Sequence, residues 1–391
     1  MRIGFFIDTF FPMIDGVTMV VDNYARRLSK YAEVIVFAPG YQDKEFDDKS
    51  LPYKVVRCKS LKVPNIDYSL PTPKLDLKFK RQLENSNLDI VHIHSPFFVG
   101  RIGVHYAKKY KIPVIGTMHS QYKKDLERAL KIEKNAEILN HNLIRVFNKC
   151  DECWAVNSEI ARIYFDEYKY KKMPKVMNNA TDMKLIEDQT TAKEKINEKY
   201  KINVNEKVFL FVGRINNLKN VFFIVEALKI LNEKHPDLQF KMLFVGNGQD
   251  EEKLQKLIKK YKLNDKIILC GREEKRSELV NYYCRADLFL FPSLYDSSSI
   301  VQIEAASQKT PTLFIKGAAT ATTVQNNVDG FISENNIEKY ADKIYKIIND
   351  EKLYKKVSEN SYSNLYKNWD DEIKNVYNAY VKLINEKRIG K

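Results

Sequence analysis

Nowhere does the sequence run to the ~18 uninterrupted apolar residues that a membrane-crossing helix needs. The first residues, MRIGFFIDTFFPMIDG, are apolar but broken by Asp8 and Asp15. With no basic lead and no small-residue cleavage site, they do not read as a secretory leader. Cysteine is scarce and odd in number, five in 391 residues, which argues against a disulfide framework and for a cytoplasmic location. Cys150-x-x-Cys153 lacks the second ligand pair that zinc would need, and the thioredoxin-like context that redox work would need. His92-x-His94 reads as alternate residues of one strand meeting a cleft rather than as a metal pair. No Gly-x-Gly-x-x-Gly follows the first strand of either half, which argues against a nicotinamide-dependent dehydrogenase. No zinc-finger, RNP-type or helix-turn-helix pattern is present, so nucleic acid ranks last among partners.

What is present is a globular composition, 44% hydrophobic and 30% charged, over a length that suggests two domains. The formal charge is +14, and residues 51–150 hold 19 Lys and Arg against 8 Asp and Glu, a net of +11. Two readings of this stretch stay open. It is a solvated lysine-rich surface, or it is a patch for an anionic partner such as a membrane leaflet or a phosphorylated acceptor.

Short apolar runs alternate with amphipathic stretches. Arg2–Ile7, Val34–Ala38, Asp89–Ile93, Val114–Thr117 and Glu152–Val156 read as strands. Thr18–Tyr31, Gly100–Tyr110 and the long region Lys123–Cys150 read as helical. Ala180–Asn205 is polar and weakly periodic, the best linker. The alternation then restarts, with strands at Val208–Val212, Phe240–Val245, Lys266–Leu269, Asp287–Phe291 and Thr312–Phe314, and helices at Val221–Asn232 and Glu251–Tyr261. The pattern predicts an α/β protein of two tandem Rossmann-like, doubly wound domains, 1–185 and 190–370, facing a cleft. A final helix near Asp371–Lys387 is expected to pack back on the first domain.

Val212-Gly-Arg-Ile-Asn-Asn-Leu-Lys219 lies between an apolar strand and a helix. Gly213 permits a tight turn, and Arg214 and Lys219 flank it, where a guanidinium and an ammonium could converge on one anion. Taken alone, two surface cations in a loop is the commoner meaning. Phe291-Pro-Ser-Leu-Tyr-Asp296 ends another strand, and Ser297-Ser298-Ser299 leads into a helix carrying Glu304. Its backbone N–H groups suit an anion. A serine-capped helix with an incidental Glu is the plainer alternative.

Together these segments resemble the retaining members of glycosyltransferase family 4, which adopt the GT-B fold. Val245-Gly-Asn-Gly248, Gly271-Arg272, Ala286-Asp287, Asp329-Gly-Phe331 and Trp369-Asp370 add to the resemblance. So do Asp8-Thr-Phe-Phe-Pro-Met-Ile-Asp-Gly-Val17, Val91-His-Ile-His-Ser-Pro-Phe97, Thr117-Met-His-Ser120 and Asn179-Ala-Thr-Asp182. The resemblance implies an enzyme of the hexosyltransferase type with a nucleoside-diphosphate sugar as donor. Arg214, Lys219 and the Gly16 backbone would hold the diphosphate, Glu304 the ribose, and Arg272 would lie beside the base. Asp296 and His119 would flank the sugar, with Ser298, Ser299 and Ile300 at the helix start. Asp296 stands where the family has Glu, Ser297-Ser298-Ser299 where it has Gly-Phe-Gly, and Ala180 where it has Gly. No Asp-x-Asp triplet occurs, so no cofactor and no metal are expected, the cations doing that work. The first loop and the His-Ser-Pro-Phe segment resemble members that glycosylate diacylglycerol or phosphatidylinositol. The resemblance thus implies a membrane-lipid or lipid-linked glycan acceptor and a place at the inner face of the cell membrane, in cell-envelope glycoconjugate synthesis. A sugar-nucleotide isomerase or epimerase on the same fold, and a binding protein that has lost catalysis, are the rival classes.

Overall fold

The computed structural model describes residues 1–62, 69–130 and 132–389, so residues 63–68 and 131 of the basic stretch lie outside it. The chain forms two compact units. Unit 1 is Met1–Asn179 together with the chain from Trp369 onward, and unit 2 is Ala180–Asn368.

Unit 1 holds β1 (Arg2–Phe6), β2 (Glu33–Pro39), β3 (Lys54–Cys58), β4 (Ser60–Lys62), β5 (Ser69–Pro71), β6 (Ile90–Ile93), β7 (Val114–Met118), β8 (Glu152–Ala155) and β9 (Lys175–Val176). Among the described residues seven of these form one parallel sheet, ordered β3-β2-β1-β6-β7-β8-β9, and β4 and β5 pair separately as an antiparallel ribbon. Unit 2 holds β10 (Lys207–Val212), β11 (Phe240–Val245), β12 (Ile267–Gly271), β13 (Leu288–Phe291), β14 (Thr312–Ile315) and β15 (Phe331–Ser333), in one parallel sheet ordered β12-β11-β10-β13-β14-β15. Runs such as Val-Phe-Leu-Phe-Val in β10 and Leu-Phe-Leu-Phe in β13 are apolar without alternation because helices cover both faces of a parallel sheet. Each unit has its own buried cluster, around Phe6, Val91 and Phe147 in unit 1 and around Leu210, Leu243 and Leu290 in unit 2.

In both sheets the chain starts in the middle, winds outward, then returns to wind the other way. The reversal falls between β1 and β6 in unit 1 and between β10 and β13 in unit 2. In open parallel sheets a ligand crevice opens at such a reversal, outside the carboxyl ends of the strands.

The last helix, Trp369–Ile389, joins unit 1. Acidic Asp370, Asp371 and Glu372 in its first turn suit the positive end of the helix dipole. Arg27 pairs with Asp370 at 3.0 Å, and Trp369 lies edge-on to Tyr24. Tyr380 stacks on Trp154 with ring centres 5.6 Å apart, and Lys387 reaches Asp151 at 2.6 Å.

Three expectations change. Ala180–Asn205 is not a bare linker: it carries the helix Gln189–Tyr200, capped by Asp188. Only Ala192 and Ile196 on that helix are buried, so its period is faint in sequence. The unit boundaries fall at 179/180 and 368/369, ahead of the expected 185–190 and 370. Lys123–Cys150 divides into two helices, Tyr122–Leu130 and Glu133–Phe147. The helices Leu77–Glu84, Arg276–Arg285, Ile337–Asn349 and Glu351–Leu365 were not anticipated.

Candidate active site

In unit 2 the loop after β10 is laid on a bed of glycine. Gly213 has φ +152°, a region that only glycine enters without strain. Its N–H donates to the Val245 carbonyl at 3.0 Å, and that of Ile215 to the Asn247 carbonyl at 2.9 Å. A Cβ on Gly246 would stand 1.9 Å from the Gly213 oxygen, and one on Gly248 would stand 2.1 Å from that of Ile215. The pair Gly246 and Gly248 therefore exists to let two backbones touch. The loop closes with a 3-10 turn, Asn217–Lys219, held by Asn216 Oδ1 on the Lys219 N–H and Asp250 Oδ2 on the Asn217 N–H.

This bed presents two cations. Arg214 is exposed and has no hydrogen bond or ion pair to any described residue. Lys219 points instead at the loop after β13, its Nζ 2.5 Å from Asp296 Oδ1 and 6.0 Å from the centre of the Phe291 ring. The other carboxylate oxygen of Asp296 is buried and unpartnered. So Lys219 and Asp296 come together, and Arg214 shares no hydrogen bond or ion pair with either.

After Asp296 the chain passes Ser297 and Ser298 to Ser299, which begins the helix Ile300–Ser307 without a side-chain cap, contrary to the serine-capped alternative. The first N–H groups of that helix have no intrahelical acceptors. Glu304, one turn in, is 3% exposed. Each of its oxygens meets one donor: Arg276 Nη2 at 2.8 Å on Oε1 and the Tyr283 hydroxyl at 2.8 Å on Oε2. Arg272 is exposed at the end of the edge strand β12 and shares no hydrogen bond or ion pair with the other candidates; its partner is Glu274, 3.7 Å away. Arg276, Tyr283 and Asp250 escaped the sequence reading. Asp250 had a signal, its place just past Gly248, whereas Arg276 and Tyr283 had none.

In unit 1, Asp15 accepts from the Thr18 N–H at 2.7 Å and the Thr9 hydroxyl at 3.1 Å, and so starts the helix Gly16–Leu28. Gly16 sits at its first position, and a Cβ there would meet no atom within 4 Å, so its backbone is open to close approach. Asp8 is buried at the start of the same loop. It accepts from the Ser95 hydroxyl at 2.6 Å and from the Val99 N–H at 2.7 Å, at the head of the helix Phe98–Tyr110. Burial pushes its carboxyl above the usual range, opposed by those donors.

His119 follows β7, its Nε2 3.1 Å from Nδ1 of His94. His92 bonds the Tyr380 hydroxyl through Nδ1 and the Thr117 hydroxyl through Nε2, both at 2.6 Å. Burial holds all three imidazoles down, His119 to about 3, so the cluster is neutral. Both ring nitrogens of His92 are thus committed to hydroxyls, whereas His94 meets His119 through Nδ1 and its Nε2 is buried without a partner. Among the described residues no group of three or more His, Cys, Asp or Glu is arranged to hold a metal, and no helix is long and apolar enough to cross a membrane. The five cysteines form no disulfide, and burial raises the thiols of Cys58 to about 12 and Cys270 to about 11.

Residues 14–185 match the family model for glycosyltransferase family 4, and residues 192–364 match that for glycosyl transferases group 1. The alpha-monoglucosyldiacylglycerol synthase of Streptococcus pneumoniae is 26% identical over 323 residues, covering 80% of this chain and 70% of that protein. The protein of the same name from Acholeplasma laidlawii is 26% identical over 353 residues, 86% of each. Among solved structures, Anabaena HepE in complex with UDP aligns with a TM-score of 0.78 over 98% of this chain and 100% of that one, at 14% identity, a likeness of fold. With one family matched along each unit and both sheets wound in the same order, the chain belongs to the family 4 glycosyltransferases and is built on the GT-B fold.

Proposed function

We propose that the chain moves a sugar, with retention of configuration, from a nucleoside-diphosphate sugar to a hydroxyl of a membrane lipid or lipid-linked glycan in cell-envelope glycoconjugate synthesis. The observation that carries this reading is Arg214, a cation with no partner among the described residues, on the glycine-bedded loop at the carboxyl end of β10. In that loop position a guanidinium can grip phosphate oxygens in pairs. Lys219 adds a second cation with two of its three N–H groups unspent, and the N–H groups of Ser299 and Ile300 at the helix start add backbone donors. Asp296 takes a sugar hydroxyl on its free oxygen, Glu304 takes the ribose, and Arg272 lies toward the base.

In the reaction the bond from C1 to the diphosphate oxygen breaks, and negative charge gathers on the diphosphate. Arg214 and Lys219 stabilise that charge, each such donor being worth about 10²–10³ in rate. The acceptor oxygen bonds to C1 on the face the leaving group vacates, and its proton passes to a diphosphate oxygen. No metal is needed for these steps.

Two relatives are named as synthases of alpha-monoglucosyldiacylglycerol, which supports a lipid acceptor and an α-linked product. In unit 1, Leu75 and Leu77 are 81% and 79% exposed between exposed Lys74 and Lys78. Leucine with lysine suits the anionic inner leaflet of the membrane, at about 1 kcal/mol per cation near the surface.

The test is incubation with a panel of radiolabelled sugar nucleotides and vesicles containing diacylglycerol. Labelled glycolipid with an α linkage by NMR is expected. Label that stays on a nucleotide as an isomer, or no turnover with any donor, would overturn the transferase reading. Co-sedimentation with phosphatidylglycerol vesicles but not phosphatidylcholine vesicles tests the membrane surface.

A further inference from the structure

We propose that Arg276 is a positioning residue for the nucleoside half of the donor, fixing the Glu304 carboxylate toward the ribose hydroxyls. The inference rests on the donor reading above.

Arg276 is the first residue of the helix Arg276–Arg285. The helix dipole opposes a cation there, so the position is not one that helix formation favours. What holds the side chain is a set of acceptors. Its Nη2 lies 2.8 Å from Glu304 Oε1 and 3.1 Å from the Thr181 hydroxyl, and its Nε lies 2.8 Å from Asp182 Oδ1.

Glu304 needs this partner. A carboxylate 3% exposed is costly to bury without a cation. Tyr283, fully buried, fixes the other oxygen. One protein donor on each oxygen leaves lone pairs on both, and the pincer of Arg276 and Tyr283 decides which way they face. Two ribose hydroxyls need two such acceptor sites at a fixed spacing.

The far end of the pincer is anchored in backbone. The Thr181 N–H donates to the Lys367 carbonyl at 2.9 Å, and Thr181 bridges to Asn368. The order of restraint therefore runs from paired backbone to Thr181 and Asp182, then Arg276, then Glu304. A lysine could reach one acceptor but could not span three, because its ammonium is a point charge and the guanidinium is a rigid fork.

The test is calorimetric titration of the full chain with UDP, GDP, ADP and CDP, each beside its 2′-deoxy form. The diphosphate that binds is expected to lose about 10- to 100-fold in affinity without the 2′-hydroxyl, the range for a hydrogen bond to a charged group. In Arg276→Gln that discrimination is expected to fall to about twofold, with partial recovery in Arg276→Lys, and adding Glu304→Gln to Arg276→Gln should lose little more. Wild-type discrimination in Arg276→Gln would overturn the inference. Should that variant fail to fold, Asp182→Asn, at a half-exposed side chain, serves in its place: reduced discrimination supports the positioning role and unchanged discrimination overturns it. If the wild-type chain binds no diphosphate, the donor reading itself falls. If it binds but ignores the 2′-hydroxyl, the ribose role of Glu304 falls and the role of Arg276 with it.

Discussion

A methyl group on Gly246 would have to displace the Gly213 carbonyl, which lies 1.9 Å from where it would sit, and Gly246 also has φ +141°. Gly246→Ala is therefore expected to shift the loop that carries Arg214, lowering stability by about 1–3 kcal/mol and nucleoside-diphosphate affinity by at least about tenfold. Thermal unfolding and calorimetry read the two effects. Asp296 gives a prediction with opposite signs. Asp296→Ala frees Lys219 from its 2.5 Å contact, so the bare nucleoside diphosphate should bind as well or better. It also removes the acceptor for the sugar, so kcat with the sugar nucleotide should fall by about tenfold or more. A parallel loss of both would place Asp296 with the phosphate rather than with the sugar. At this scale the sequence was legible where a motif spans a few residues, as from Gly213 to Lys219. It was silent on Arg276, whose partners Thr181, Asp182 and Glu304 lie 28 to 95 positions away.

The helix Trp369–Ile389 is bound to its sheet through a histidine that cannot afford a charge. Tyr380→Phe would leave His92 Nδ1 buried without its 2.6 Å partner, at an expected cost of about 1–3 kcal/mol seen in chemical denaturation. The neighbouring imidazoles predict an acid dependence. His92, His94 and His119 are held by burial below their ordinary value of 6.5. As pH falls below about 6.5 the unfolded chain takes up protons that these folded side chains refuse, so stability falls with pH toward about 3. The slope approaches about 1.4 kcal/mol per pH unit per histidine. Asp8, raised by burial, acts with the opposite sign and is outnumbered. A denaturation series from pH 7.5 to about 4.5 checks the direction, and stability that rises on acidification would contradict it. Elements were legible in sequence where apolar residues repeat, as in Phe240–Val245. Gln189–Tyr200 was missed because Ala192 and Ile196 are its only buried side chains.

Each unit has a core of its own, and unit 2 is one unbroken stretch of chain, Ala180–Asn368, tied near its two ends by the bridge from Thr181 to Asn368. Residues 180–368 expressed alone are expected to fold cooperatively and to bind a nucleoside diphosphate. An unfolded fragment by circular dichroism would show that the unit depends on the rest of the chain. The doubled architecture was readable from the restarted strand–helix alternation. The position of its seam was not, because a polar helix and a polar linker look alike in composition.

Unit 1 is different in one respect: its closing helix comes after all of unit 2. During synthesis the face formed by Tyr24, His92 and Trp154 must wait, uncovered, while the 189 intervening residues emerge from the ribosome and fold. Nascent chains stalled before residue 369 should therefore recruit chaperones through unit 1, even when unit 2 has already reached its native form.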